Sequence, residues 1–146
     1  MSVSQSKNRT YIARETRWVS EYVSRFYPDD FNAGRAAFQV PLGPMSTAIS
    51  RRAAPRADAV VVSLDHVTII EADAENKTSA IGQLLYYDFV FPLTEAYIKY
   101  SNLPRVKVLL VESTDDTFTA FSEKFGLKVD TWAPDWLLSY LISKGG

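Results

Sequence analysis

The chain has 146 residues, 47% hydrophobic and 23% charged, with a net charge of −1; that length suits one domain with a proper core rather than two. It has no cysteine, which excludes a disulfide framework and thiolate-held zinc or iron–sulfur sites. Its apolar runs fall far short of a membrane span, and residues 1–10 lack the apolar stretch of a signal peptide. The expectation is one soluble domain over residues 1–146 with a flexible polar tail at 1–10. Its expected address is the cytoplasm, or a virion if the chain is phage-encoded.

Residues 12–27 read as an amphipathic helix, since Trp18, Tyr22 and Phe26 recur every four residues and Pro28-Asp29-Asp30 ends the run. Residues 28–57 are the least regular part, with a short strand at 37–40 and a loop rich in Pro and Arg. The β-branched runs DAVVVS (58–63) and VTIIEADAE (67–75) flank a short turn at Asp65-His66, the pattern of a hairpin. A helix follows from Lys77 to about Phe91, stopped by Pro92. Residues 105–112 read as a buried strand, and Asp115 and Asp116 open a helix that Gly126 caps. Residues 127–132 form another strand, and Pro134 starts a last helix. The span from Val106 to Trp132 is thus a βαβ unit with parallel strands. The fold class expected is α/β, a single domain with a mixed central sheet flanked by helices. The aromatics Trp18, Tyr86, Phe89, Trp132 and Trp136 are assigned to core packing.

Charge is unevenly spread. Residues 1–56 carry a net +5 and residues 57–146 a net −6. The basic part, with Arg51, Arg52 and Arg56 in its last loop, suits contact with phosphates; a solvated face is the plainer account.

The acidic part holds the chemistry. Side chains alternate along a strand, so Val67, Ile69, Glu71, Asp73 and Glu75 share one face, which starts apolar and turns acidic. Glu71 and Asp73 are expected about 7 Å apart on it. With residues 63–66 as the turn, Val62 pairs with Val67 and Asp58 falls opposite Glu71, their Cβ atoms about 5 Å apart. Like charges so placed repel, and an oxygen-seeking divalent cation reverses that sign. Asp58, Glu71 and Asp73 are therefore the candidate metal ligands, for Mg²⁺ or Mn²⁺. Glu15 lies on the apolar stripe of the first helix and points inward or toward a cleft. Gln83 and Tyr87 share a face of the helix after the acidic strand. His66 is the only histidine, and its turn position leaves no Ser-His-Asp triad or histidine zinc site.

Taken together, Glu15 in ARETRW, Asp58 in RADAVVV, Glu71 in TIIEADAE, and Gln83 and Tyr87 in IGQLLYY resemble the PD-(D/E)XK nuclease superfamily, in particular its RecB-like branch. The match runs over roughly residues 12–112 with the elements in order. The resemblance implies a restriction-endonuclease-like core and metal-dependent hydrolysis of DNA, with catalytic roles for Asp58, Glu71, Asp73, Gln83, Tyr87 and Glu15. One position departs: Asp73 stands where the family has its lysine. Either an acidic residue assists the metal there, or Lys77 reaches back into the site, or the chemistry is lost. In the last case the fold is a structural or interaction protein, such as a bacteriophage particle or head–tail connector component, with homo-oligomer or viral assembly partners. No membrane partner is expected.

Overall fold

In the computed structural model the described residues are 3–45 and 54–145. The chain builds one five-stranded sheet: β1 (Ala36–Pro41), β2 (Arg56–Val62), β3 (Val67–Ala72), β4 (Arg105–Val111) and β5 (Leu127–Thr131), side by side in that order. β1, β2 and β3 run antiparallel, while β3, β4 and β5 are parallel. All six residues of β3 are buried, as a strand covered on both faces requires, whereas edge strands β1 and β5 are half-exposed. The expected α/β class with a mixed sheet flanked by helices is what the molecule has.

Two helical layers cover the sheet. On one face α1 (Val3–Phe26) packs Trp18, Val19, Tyr22 and Val23 against Ala59, Val61, Ile70, Val108 and Leu110. Leu137 from the last helix, α5 (Asp135–Gly145), joins them. On the other face α3 (Thr78–Val90) buries Ala80, Ile81, Leu84, Tyr87 and Val90 over Val60, Val67, Ile69 and Leu109. Each fully buried Val, Leu or Ile contributes about 1.5–3 kcal/mol, so alternation of these residues along β2, β3 and β4 is what holds both layers. Two 3₁₀ turns, Phe91–Leu93 and Glu95–Tyr100, lead from α3 to β4. α4 (Asp116–Lys124) joins β4 to β5: the Asp115 carboxylate accepts the Phe118 N–H at 2.7 Å, and Gly126 takes the left-handed φ of 82° that ends the helix.

Four details differ from the sequence reading. Helical backbone begins at Val3, where a polar tail is expected. After Phe26 the chain re-enters a short helix, α2 (Pro28–Asn32), because proline is well suited to a first helical turn. Tyr86 and Phe89 are exposed rather than in the core, being 46% and 74% accessible. α3 is apolar around most of its circumference, and the sheet covers only one side of it. Part of the basic charge of the first third is spent on packing: Arg14 lies over the Tyr140 ring at 4.4 Å and Arg17 over Trp136 at 4.2 Å. Among the described residues no helix is long and apolar enough to cross a membrane.

Candidate functional site: a carboxylate pair in a strand fork

The β2–β3 hairpin is closed at one end and open at the other. At the closed end Ser63 N–H donates to the His66 carbonyl at 2.9 Å, and His66 sits against Asp65 in the turn, as expected of a turn residue. Pairing then runs from Val62↔Val67 to Ala59↔Ile70, the register anticipated from the turn. Beyond that point the strands follow different partners. β2 stays with β1 through Ala57↔Val40 and Arg56↔Pro41, while β3 stays with β4 through Glu71↔Leu109 and Ala72↔Leu110. Asp58 and Glu71 stand where they part.

Asp58 fills the fork. One carboxylate oxygen accepts the Ala72 N–H at 2.8 Å, taking the place of a ladder carbonyl, and the other accepts from the Gln39 amide at 3.0 Å. The sheet also changes face here. Ala36, Phe38, Ala59 and Val61 pack on the α1 side, yet Val40 and Ala57, two residues further along their strands, pack on the α3 side. Strict alternation would have kept each set together. In β1 the switch falls at Gln39, whose left-handed φ of 52° costs a non-glycine residue about 1 kcal/mol or more. Gln39 is a site residue that the sequence reading missed. A polar residue between Phe38 and Val40 is its only mark, and its pairing with Asp58 depends on β1–β2 register across a long loop.

Glu71 is 7% exposed, and its Oε1 is buried with no hydrogen-bond partner among the described residues. Burial, then the charge of Asp58, push its carboxyl up to about 10, so at neutral pH it keeps a proton and donates it to Asp58. The Asp58 carboxyl is raised as well, burial outweighing its backbone and side-chain hydrogen bonds. Glu15, half-buried on α1, hydrogen-bonds Asp58 and acts electrostatically on Glu71. Three carboxyl groups, two of them expected opposite one another and the third from the first helix, therefore meet at the fork.

Asp73 does something else. Its two oxygens accept the backbone N–H groups of Glu75 (2.9 Å) and Lys77, so the loop into α3 is wrapped around its carboxylate. It acts as an Asx-type cap for that loop. Lys77 points outward: its ammonium lies 3.0 Å from Glu75 and its side chain is 59% exposed. Tyr87 is buried, and its hydroxyl donates to the Arg56 carbonyl at 3.0 Å; burial pushes that phenol up. Gln83, one turn earlier on α3, is exposed. Arg56 is exposed at the fork and donates to the Gln39 carbonyl at 3.1 Å. Arg51 and Arg52 lie outside the described residues.

The donor set fits some cations better than others. The three carboxyls at the fork touch one another without surrounding a common point: among the described residues no group of three or more His, Asp or Glu side chains could cage an ion, which is what Ca²⁺ or a structural Zn²⁺ asks for. Mg²⁺ keeps most of its waters and takes one or two carboxylates plus substrate phosphate, and the orphaned oxygen of Glu71 beside Asp58 supplies that much.

No protein-family model matches the chain, and no curated protein sequence is significantly similar to it. Among solved structures it is similar to the crystal structure of a repair endonuclease from Pyrococcus abyssi, at 14% identity and a TM-score of 0.48. The likeness covers 81% of this chain and 46% of that one, so the chain spans less than half the length of that endonuclease.

Proposed function

We propose that the protein is a nuclease of the PD-(D/E)XK kind, hydrolysing DNA phosphodiesters with Mg²⁺ or Mn²⁺ held by Asp58 and Glu71. The observation that carries this reading is the buried Oε1 of Glu71 beside Asp58, which has no hydrogen-bond partner among the described residues. Burying a carboxyl with an unsatisfied oxygen costs stability, and a cation at that oxygen removes the cost. The bound metal would supply an activated water and charge neutralisation at the phosphate. The chain's own groups do the rest. Gln39 and the Ala72 N–H hold Asp58 in place, Glu15 completes the acidic cluster, and Tyr87 braces the strand end that carries Arg56. Arg56 at the start of β2, with Arg51 and Arg52 a few positions before it in sequence, binds the backbone of the substrate. Asp73 is here a cap for the loop, and Gln83 meets the nucleic acid from the surface of α3.

The second reading is a nuclease fold that has lost its chemistry and serves as a structural or interaction protein, for example in a bacteriophage particle. The position of Lys77 favours it. The cation that would stabilise developing negative charge is paired with Glu75 at the surface, and Asp73 cannot supply one.

Differential scanning fluorimetry with Mn²⁺, run beside cleavage assays on single- and double-stranded DNA, separates the two. The nuclease reading expects millimolar Mn²⁺ to raise the melting temperature and Glu71→Ala to abolish both that shift and cleavage. No metal-induced shift and no cleavage of either substrate would sink it, and a stable ring or filament in light scattering would favour the second.

A further inference from the structure

Beside the fork, between α1 and α5, is a cavity of about 230 Å³ lined by Arg14, Glu15, Trp18, Leu137, Tyr140 and Lys144, among others. Its walls are of three kinds. Trp18, Leu137 and Leu141 give it an apolar floor. Arg14 and Lys144 bring two cations, held over the Tyr140 ring at 4.4 and 5.5 Å. Glu15 belongs to both sites, lining the cavity and hydrogen-bonding Asp58. Size narrows the occupant. An enclosed cavity of about 150 Å³ accepts one benzene ring, so this half-open one has room for the ring system of a purine or pyrimidine.

We infer that this cavity receives an unpaired nucleobase of a DNA strand whose phosphate lies at the fork. The inference rests on the nuclease reading for its geometry, because a phosphate beside Asp58 leaves the adjoining base next to Glu15. A guanidinium fixed over one aromatic ring stacks on a base by the same forces. The Glu15 carboxyl in the lining is an acceptor for an exocyclic amino group, and the exposed Lys144 supplies a cation for a phosphate. A base still paired in a duplex cannot enter. The substrate is accordingly single-stranded, frayed or flipped DNA.

The test uses a short fluorescein-labelled oligodeoxynucleotide, its annealed duplex, and the same strand with one abasic nucleotide. Binding to the full chain is read by fluorescence anisotropy with Mn²⁺ present and phosphorothioate-linked probes, so that the fork keeps its cation and hydrolysis does not consume the probe. The single strand is expected to bind about tenfold tighter than the duplex, the worth of one stacked base. Leu141→Trp, which fills the cavity, lowers single-strand affinity about tenfold and leaves duplex affinity unchanged. Lys144→Glu, at an exposed position, also lowers single-strand affinity without touching the core. Equal binding of strand and duplex overturns the inference, as does Leu141→Trp that melts like the wild type yet binds the strand undiminished. Strand preference without Mn²⁺-dependent cleavage sinks the nuclease reading alone. Cleavage of strand and duplex at equal rates, unaffected by Leu141→Trp, sinks the cavity alone.

Discussion

The two ends of the β2–β3 hairpin are built from the same two strands and obey opposite rules. At the closed end each residue has a cross-strand partner, the polar side chains of Asp65 and His66 point to water, and Leu64 is 91% exposed without consequence. At the open end the strands separate, and Asp58 and Glu71 are buried at 4% and 7% exposure. There a side chain replaces a ladder carbonyl and one strand takes a left-handed residue. Stability is gathered along the paired part and partly given up in the fork. Strain and buried carboxyls concentrated in one place mark a site, and here both touch Asp58, through Gln39 and Glu71.

The largest effect that sharpens this contrast belongs to the paired part. Ile69→Ala, at a fully buried position two residues from Glu71, is expected to lower stability by about 3 kcal/mol. The urea midpoint falls equally at pH 5 and pH 8, and equally with and without Mn²⁺. A loss that depended on metal would mean that the apolar centre and the fork are one cooperative feature.

Glu71→Gln is expected to act in the opposite direction. The folded-state carboxyl holds its proton to about 10, whereas an unperturbed one releases it near 4.5. The stability this group contributes is therefore complete below pH 4.5 and is lost progressively as pH rises toward 10. Glutamine has the same shape, still donates to Asp58 and has no proton to lose. The variant should match the wild type near pH 4 and exceed it by on the order of 2 kcal/mol at pH 8, below the ceiling of about 5 kcal/mol that the two values set. A variant less stable at every pH would show that the Glu71 charge is already compensated. Because a metal must displace that proton, Mn²⁺ affinity of the wild type should rise with pH.

Asp73→Ala removes the acceptor of two backbone N–H groups and is expected to cost about 1–2 kcal/mol by urea unfolding. Asp73→Asn recovers part of the loss through its amide oxygen. In the nuclease reading neither variant abolishes the Mn²⁺-induced rise in melting temperature, unlike Glu71→Ala. If both abolished it, Asp73 would be a ligand and not only a cap. Smallest of all is His66→Ala in the turn, expected to change stability by less than about 0.5 kcal/mol.

Several of these features could be read from residues alone, and the physical reason is period. Alternation in VTIIEADAE and a short turn at Asp65-His66 determine which residues oppose one another, and the observed pairs from Val62↔Val67 to Ala59↔Ile70 follow that register. The βαβ unit of β4, α4 and β5 was equally legible, because Asp115 and Gly126 carry their own cap chemistry. Glu15 could be placed on the buried side of α1, but its meeting with Asp58 needed the helix to be docked.

Asp73 shows where such reading stops. By alternation it shares a face with Glu71, and its residue type suits a metal as well as a cap. β3 ends at Ala72, the Asp73 N–H still bonds the Leu110 carbonyl, and the Asp73 carboxylate accepts the Glu75 and Lys77 N–H groups. The local sequence thus determined the strands, the register and the candidate acids, because spacing along a chain is enough to specify each. Only the tertiary structure decided how those acids are used. The fork, the face change at Gln39, the orphaned oxygen of Glu71 and the cavity between α1 and α5 all arise between segments distant in sequence. No short-range pattern encodes the distances among them.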